Sequence, residues 1–244
     1  MNDDSLFKLW VYLSATPLAG LTVTLAAYCI AYAIYVRARL HPFANPVLIS
    51  VIIIVTLLEA TRTNYTAYFD GAQFVHFLLG PAVVGLAVPL AREWPNVRKL
   101  ALPVAGALAV GAVVAIASAV GCAYALGASP SILSALATKS VTAPIAMGIA
   151  ENIGGVPALA AVFSVATGII GAALGKFVLD AVGARDRRAR GFALGLAAHG
   201  IGTARAFQVD AVAGAYASLA FGLHGALAAL ALPYAWRWVA GLNG

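Results

Sequence analysis

Apolar residues run along this chain in long stretches, with polar and basic residues gathered between them. About 20 apolar residues carry a helix across the hydrocarbon core of a bilayer. On that rule residues 17–36 form one helix, ended by the basic loop Arg37–Arg39. Residues 46–61 form a second, capped by Asn45 ahead of Pro46, with Glu59 and Arg62 as an i,i+3 pair at its rim. Residues 71–91 form a third, with breaks expected at Gly80 and Pro81, and residues 100–126 a long fourth. An interrupted segment follows at 131–150, with its break near Pro144. Then come a helix at 157–179, a short glycine-rich segment at 191–207 broken at Gly202, and a long last helix at 211–239. The terminal PYAWRWV reads as an interfacial aromatic belt.

Composition agrees with a chain built for lipid. Of 244 residues 62% are hydrophobic and 10% charged, with mean hydropathy +0.93. A soluble domain carries about 25% charged residues. The net charge of +6 is no signal for nucleic acid, because the basic residues fall in short clusters between apolar spans. Three basic loops stand out: Arg37 and Arg39, then Arg92, Arg98 and Lys99, then Arg185, Arg187, Arg188 and Arg190. Under the positive-inside rule these sit on the cytoplasmic side, the N-terminus lies outside, and segment 131–150 is re-entrant. The acidic start MNDDSLFKLW shows no cleavable signal pattern, so the first span is expected to stay as an anchor. Cys29 and Cys122 lie within apolar spans and read as small buried hydrophobes rather than metal ligands or a disulfide.

Shifting the sequence by 59 residues lays AVVGLAVPLAREWPNV, from Ala82, over VTAPIAMGIAENIGGV, from Val141. The two share a pattern of proline, small residues and a terminal charge. Such an internal repeat suggests halves at about 17–126 and 131–239, as in repeat-built transporters whose discontinuous helices meet at the midplane.

Two polar constellations interrupt the apolar background. Lys139 follows a stretch from Leu100 to Thr138 that holds no Asp, Glu, Lys or Arg. A charge at the centre of a spanning helix costs roughly 2.5–3.5 kcal/mol, so it normally faces a polar cavity. Ser140 and Thr142 add hydroxyls, and a helix starting near Pro144 adds free amides, which together suit an anion. Glu151 closes the segment as a rim carboxylate or a proton-coupling group. The second constellation, GLAAHGIGTAR, sets His199, Thr203 and Arg205 among glycines, with Gly200 and Gly202 permitting unusual dihedrals. His199 titrates near neutral pH, and Arg205 can hold a carboxylate through two parallel hydrogen bonds. His76 and His224 read as packed or interfacial. No Walker loop and no paired catalytic carboxylates are present, so the chain is not read as an enzyme and no cofactor or metal is expected.

The strings FLLGPAVVGLAVPL, TKSVTAPIAMGIAENIGG, AVFSVATGIIGAALG, RGFALGLAAHGIGTARAF and GAYASLAFGLHG carry a resemblance. From about Pro17 to Pro233 the chain resembles the LrgB family, also called CidB or antiholin-like proteins. That family includes the membrane domain of the chloroplast glycolate/glycerate translocator. Two departures stand out: Thr138 replaces the proline of the family's PKSVT, and Gly148 stands where the family favours a carboxylate. The resemblance implies either modulation of holin-like lysis and murein hydrolase export, or carriage of small carboxylates beside a small LrgA-type membrane partner.

The expectation is therefore an all-α integral membrane protein of the bacterial inner membrane, one LrgB-type domain over 1–244. It has seven or eight transmembrane elements, some discontinuous or re-entrant, in an inverted-repeat architecture. Its function is proton- or sodium-linked transport of small monocarboxylates such as glycolate, glycerate, lactate or pyruvate. The alternative is an antiholin-like regulator without transport. Lys139 and Arg205 are expected to neutralise the carboxylate, with Ser140, Thr142, Gly200 and Thr203 bonding its oxygens. His199 or Glu151 carries the coupling proton. The small-residue face through Gly168, Gly171 and Gly175 permits close packing within a protomer or across a homodimer.

Overall fold

In a computed structural model the structure describes residues 17–78, 81, 84–85 and 87–241. Among them no strand occurs, and the chain divides into two compact units, Met1–Gly85 and Leu86–Gly244. Four helices are long and apolar enough to cross a membrane, and a shorter apolar helix, Pro46–Thr61, adds to them. The protein is a helical membrane protein.

The first unit holds α1 (Pro17–Arg37), α2 (Pro46–Thr61) and α3 (Tyr65–Phe77). Asn45 caps α2 as expected, its Oδ1 accepting the amides of Val47 (2.9 Å) and Leu48 (3.2 Å). Glu59 and Arg62 form no ion pair. Arg62 instead closes α2 in the left-handed conformation (φ 51°), donating its amide to the Glu59 carbonyl. Gly20 lets α1 approach the α3 backbone at Tyr68, whose hydroxyl meets Thr24 Oγ1 at 2.7 Å. The expected third span at 71–91 divides differently. Helix α3 begins at Tyr65, ahead of the expected start, and Ala87–Lys99 is helical as well. The break expected at Gly80 and Pro81 lies outside the described residues, apart from Pro81 itself.

The second unit contains α4 (Ala87–Lys99), α5 (Ala101–Ala125), α6 (Pro130–Ala137), α7 (Ala143–Asn152), α8 (Pro157–Ala181), α9 (Arg187–Val209) and α10 (Ala211–Gly241). Prolines open α6 and α8 at the first helical position, where a missing N–H costs nothing. At about 1.5 Å per residue α5 and α8 each run about 37 Å, enough to cross hydrocarbon, whereas α6 and α7 are each too short alone. Helix α10 is the best-buried long helix and α5 the most exposed. Gly191 and Gly195 let α9 lie backbone against backbone on α10, where a Cβ would overlap the carbonyls of Ala213 and Ala217. One core, around Val141, Ala146, Ile149 and Leu232, packs the broken segment on α8 and α10. A second, around Val97, Phe192, Leu196 and Tyr216, joins α4, α9 and α10. Tyr234 and Trp238 are exposed as a belt, while Trp236 packs on the first core.

Cys29 and Cys122 are free but exposed rather than buried. Each lies on an outward face of a spanning helix, where a small apolar side chain meets lipid as readily as protein.

Candidate functional site

The chain between α6 and α7 is the first interruption. Thr138 ends α6, its hydroxyl donating to the Ala135 carbonyl at 2.8 Å. Lys139 follows, half-buried, and its Nζ donates to the buried Ser140 Oγ at 3.0 Å. Thr142 stands at the N-cap of α7 without a side-chain cap bond, and Pro144 has no N–H. The amides of Ala143 and Ile145 consequently have no acceptor within the helix. Lysine, hydroxyls and open amides thus share one five-residue connection, as the sequence led us to expect.

The second interruption lies inside α9. Its break is at Ala198 (φ −121°, ψ 15°) and His199 (φ 41°, ψ −133°), not at Gly202. A non-glycine residue held there stores about 1–3 kcal/mol of strain. Gly202 serves the break from the next turn: a Cβ there would lie 2.5 Å from the Leu194 carbonyl, so only glycine lets the chain fold back this closely. Thr203, fully buried, donates its hydroxyl to the His199 carbonyl at 2.8 Å and satisfies the acceptor that the break frees.

One serine on α8 ties the two interruptions together. Ser164, fully buried, donates its hydroxyl to the Val141 carbonyl at 2.5 Å, just past Lys139 and Ser140. Its own carbonyl lies 2.9 Å from His199 Nε2 and its Oγ 3.3 Å from the same nitrogen. A carbonyl only accepts, so Nε2 carries the proton. Helix α8 makes room for the ring with Gly168, where a Cβ would lie 2.8 Å from His199 Cε1. Gly171 and Gly175 do the same for Ala198 and Leu194. The small-residue face of α8 is therefore spent inside the chain.

His224 on α10 joins this centre. It is 2% exposed, its Nδ1 has no hydrogen-bond partner, and it lies within electrostatic reach of Lys139 and His199. A buried polar atom without a partner is uncommon and normally meets a ligand, a water or strain. The sequence analysis gave Ser164 no role and read His224 only as packed or interfacial, since each is a small polar interruption of an apolar span.

Lys139 also lines a groove of about 710 Å³ between α5 and the first half of α9. Pro103, Val104 and Val114 form one wall and Phe192 and Leu196 the other, with Arg188 and Tyr216 at the far end.

The expected residues divide accordingly. Lys139, Ser140 and Thr142 share the first connection, and Ser164 links it to His199. Gly200 follows the break beside open space. Thr203 holds the break. Arg205 is half-buried six residues beyond His199 and is not part of the groove wall that includes Lys139. Glu151 is exposed in the last turn of α7.

The model of the LrgB-like family matches residues 24–238. An uncharacterized Bacillus subtilis protein, YxaC, is 35% identical over 201 residues, covering 82% of this chain and 87% of its own. The holin-like protein CidB of Staphylococcus epidermidis is 28% identical over 79% of this chain and 84% of its own. The antiholin-like protein LrgB of Bacillus mycoides is 26% identical over 89% of this chain and 95% of its own. No solved structure matches the chain. With a family model spanning most of its length and a relative above 30% identity, the chain belongs to the LrgB-like family.

Proposed function

We propose that this protein carries small monocarboxylates across the membrane, with the site where its two broken segments meet. The observation that supports it is the buried polar centre of Lys139, Ser140, Ser164, His199 and His224 inside an otherwise apolar unit. Such groups are costly at membrane depth and are kept where a polar ligand or an ion passes. A one-carboxylate anion matches one ammonium, the Thr142 hydroxyl and the open amides at the start of α7. Glycolate, glycerate, lactate and pyruvate are of that class.

The carrier has seven or eight membrane elements in an inverted-repeat design, with segment 131–150 re-entrant, and it sits in the bacterial inner membrane with its N-terminus outside. Protons drive it, moving on His199 and His224, with Glu151 as an outer relay and sodium as the alternative ion. Arg205 attracts the anion from its own side rather than sharing it with Lys139. A homodimer uses faces other than the α8 glycines, and a small LrgA-type membrane protein acts as partner.

The relatives' names favour a second reading. CidB is named holin-like and LrgB antiholin-like, and neither name speaks of transport. By those names the better-supported role is regulation of holin-type lysis and murein hydrolase activity through contacts with a partner. The two readings separate in proteoliposomes holding this chain alone. A carrier gives saturable, pH-gradient-dependent uptake of labelled glycolate, lactate or pyruvate, abolished in Lys139→Ala while folding and insertion persist. No uptake by correctly inserted wild type, alone and again with the LrgA-type partner co-reconstituted, assigns the regulator, and unchanged uptake in Lys139→Ala removes the site from this centre.

A further inference from the structure

The groove between α5 and α9 is open along the most exposed spanning helix of its unit, and its wall is apolar except at its ends. In a bilayer such a trough does not stay empty, because a dry void forfeits contact on every lining atom. Along α5 it runs from Leu100 to Ala115, about 22 Å at helical rise, the scale of an acyl chain. At its inner end the Lys139 ammonium is held by Ser140, which leaves the methylene stem as wall.

The outer end has different chemistry. Tyr216 is 2% exposed, lines the groove, and its hydroxyl donates to no acceptor. Next to it stands the Arg188 guanidinium, whose other contact is an exposed pair with Asp186 at 3.2 Å. Glu93 also faces this tyrosine. Over residues 92–99 and 180–190, together with Asp210, seven basic side chains meet four acidic ones, so the rim stays net positive. A basic rim, a buried hydroxyl lacking an acceptor and an apolar trough leading inward match a lipid with an anionic head.

We infer that this groove binds one anionic phospholipid, its phosphate bridging Arg188 and the Tyr216 hydroxyl and one acyl chain lying between α5 and α9. The phosphate sits at the opposite end of the groove from Lys139, and the test stands whichever reading of function holds. The full chain is reconstituted in vesicles of equal phosphatidylglycerol and phosphatidylcholine, extracted in mild detergent and weighed by native mass spectrometry. The wild type retains one phosphatidylglycerol per chain, in about tenfold preference over phosphatidylcholine. Arg188→Gln, and less strongly Tyr216→Phe, reduce that preference several-fold, whereas Arg185→Gln, just ahead of α9 and outside the groove wall, leaves it unchanged. Ala193→Trp fills the trough and removes both lipids. Equal retention of the two lipids overturns the proposal, as does a preference that survives Arg188→Gln and Tyr216→Phe. Loss of the lipid on adding saturating glycolate or lactate also overturns it, by assigning the groove to the water-soluble carboxylate.

Discussion

Ser164 contributes through position more than through chemistry. A serine hydroxyl in an apolar span normally bonds back to its own helix. Here it reaches across to Val141, while its carbonyl takes the His199 ring. Ser164→Ala leaves a buried carbonyl without its donor, which costs about 1–3 kcal/mol. The expected result is a matching loss in thermal unfolding of the detergent-purified protein, with transport or regulatory activity falling further than stability. An unchanged unfolding temperature would mean that Val141 finds another donor. The His199 ring keeps the carbonyl of residue 164 in that variant, so the kink and the Thr203 bond that steadies it are expected to persist.

At the scale of elements, helix–helix spacing is set by glycine. Gly195→Ala pushes a methyl group into the Ala217 carbonyl and parts α9 from α10. Overpacking of this kind costs about 1–3 kcal/mol. Gly148→Ala, whose new methyl group meets open space on α7, is expected to stay within about 0.5 kcal/mol. Paired melting curves of the two variants check both directions. Most element boundaries were legible in the sequence because proline and hydropathy mark them locally: Pro17, Pro46 and Pro157 open helices as read, while Pro130, read as part of the preceding loop, opens α6. The break after α6 was legible from Lys139 and Pro144. The kink in α9 was expected from its glycines but misplaced, because its position is set by a ring that Ser164 binds and Gly168 admits, both on another helix. The polar start of α3 carried no apolar signal at all. Ser164 stayed hidden, and His224 was read as packed without a role, for a related reason: the burial that gives a polar residue its meaning is a property of the packed molecule.

For the whole molecule, the ends of α9 lie outside the apolar spans and respond to acid. Hydrogen bonds from the Arg188 side chain, and then its backbone, hold the Asp186 carboxyl below its ordinary range. The Ala213 amide does so first for Asp210, followed by the Arg187 side chain. Both groups bind a proton less readily folded than unfolded. The stability they add is present above about pH 4, the ordinary aspartate range, and is lost as pH falls through the lower folded values. Amide exchange at residues 186–190 and 210–214 is expected to accelerate between pH 5 and pH 3, once corrected for intrinsic rates, while α8 stays protected. Equal acceleration in α8 would point to global rather than local loosening.

The kink at His199 also has a mechanical meaning. From His199 to Arg187 the first half of α9 is a rigid arm of twelve residues, about 18 Å long. The Arg187–Asp210 pair at 2.9 Å ties the tip of that arm to the end of the second half, so α9 closes on itself as a hairpin with its bend at the Ser164 joint. A hairpin closed in this way joins its bend to its ends, so the arginine-bearing tip at the membrane surface and the Ser164 joint behave as one body rather than as two free arms.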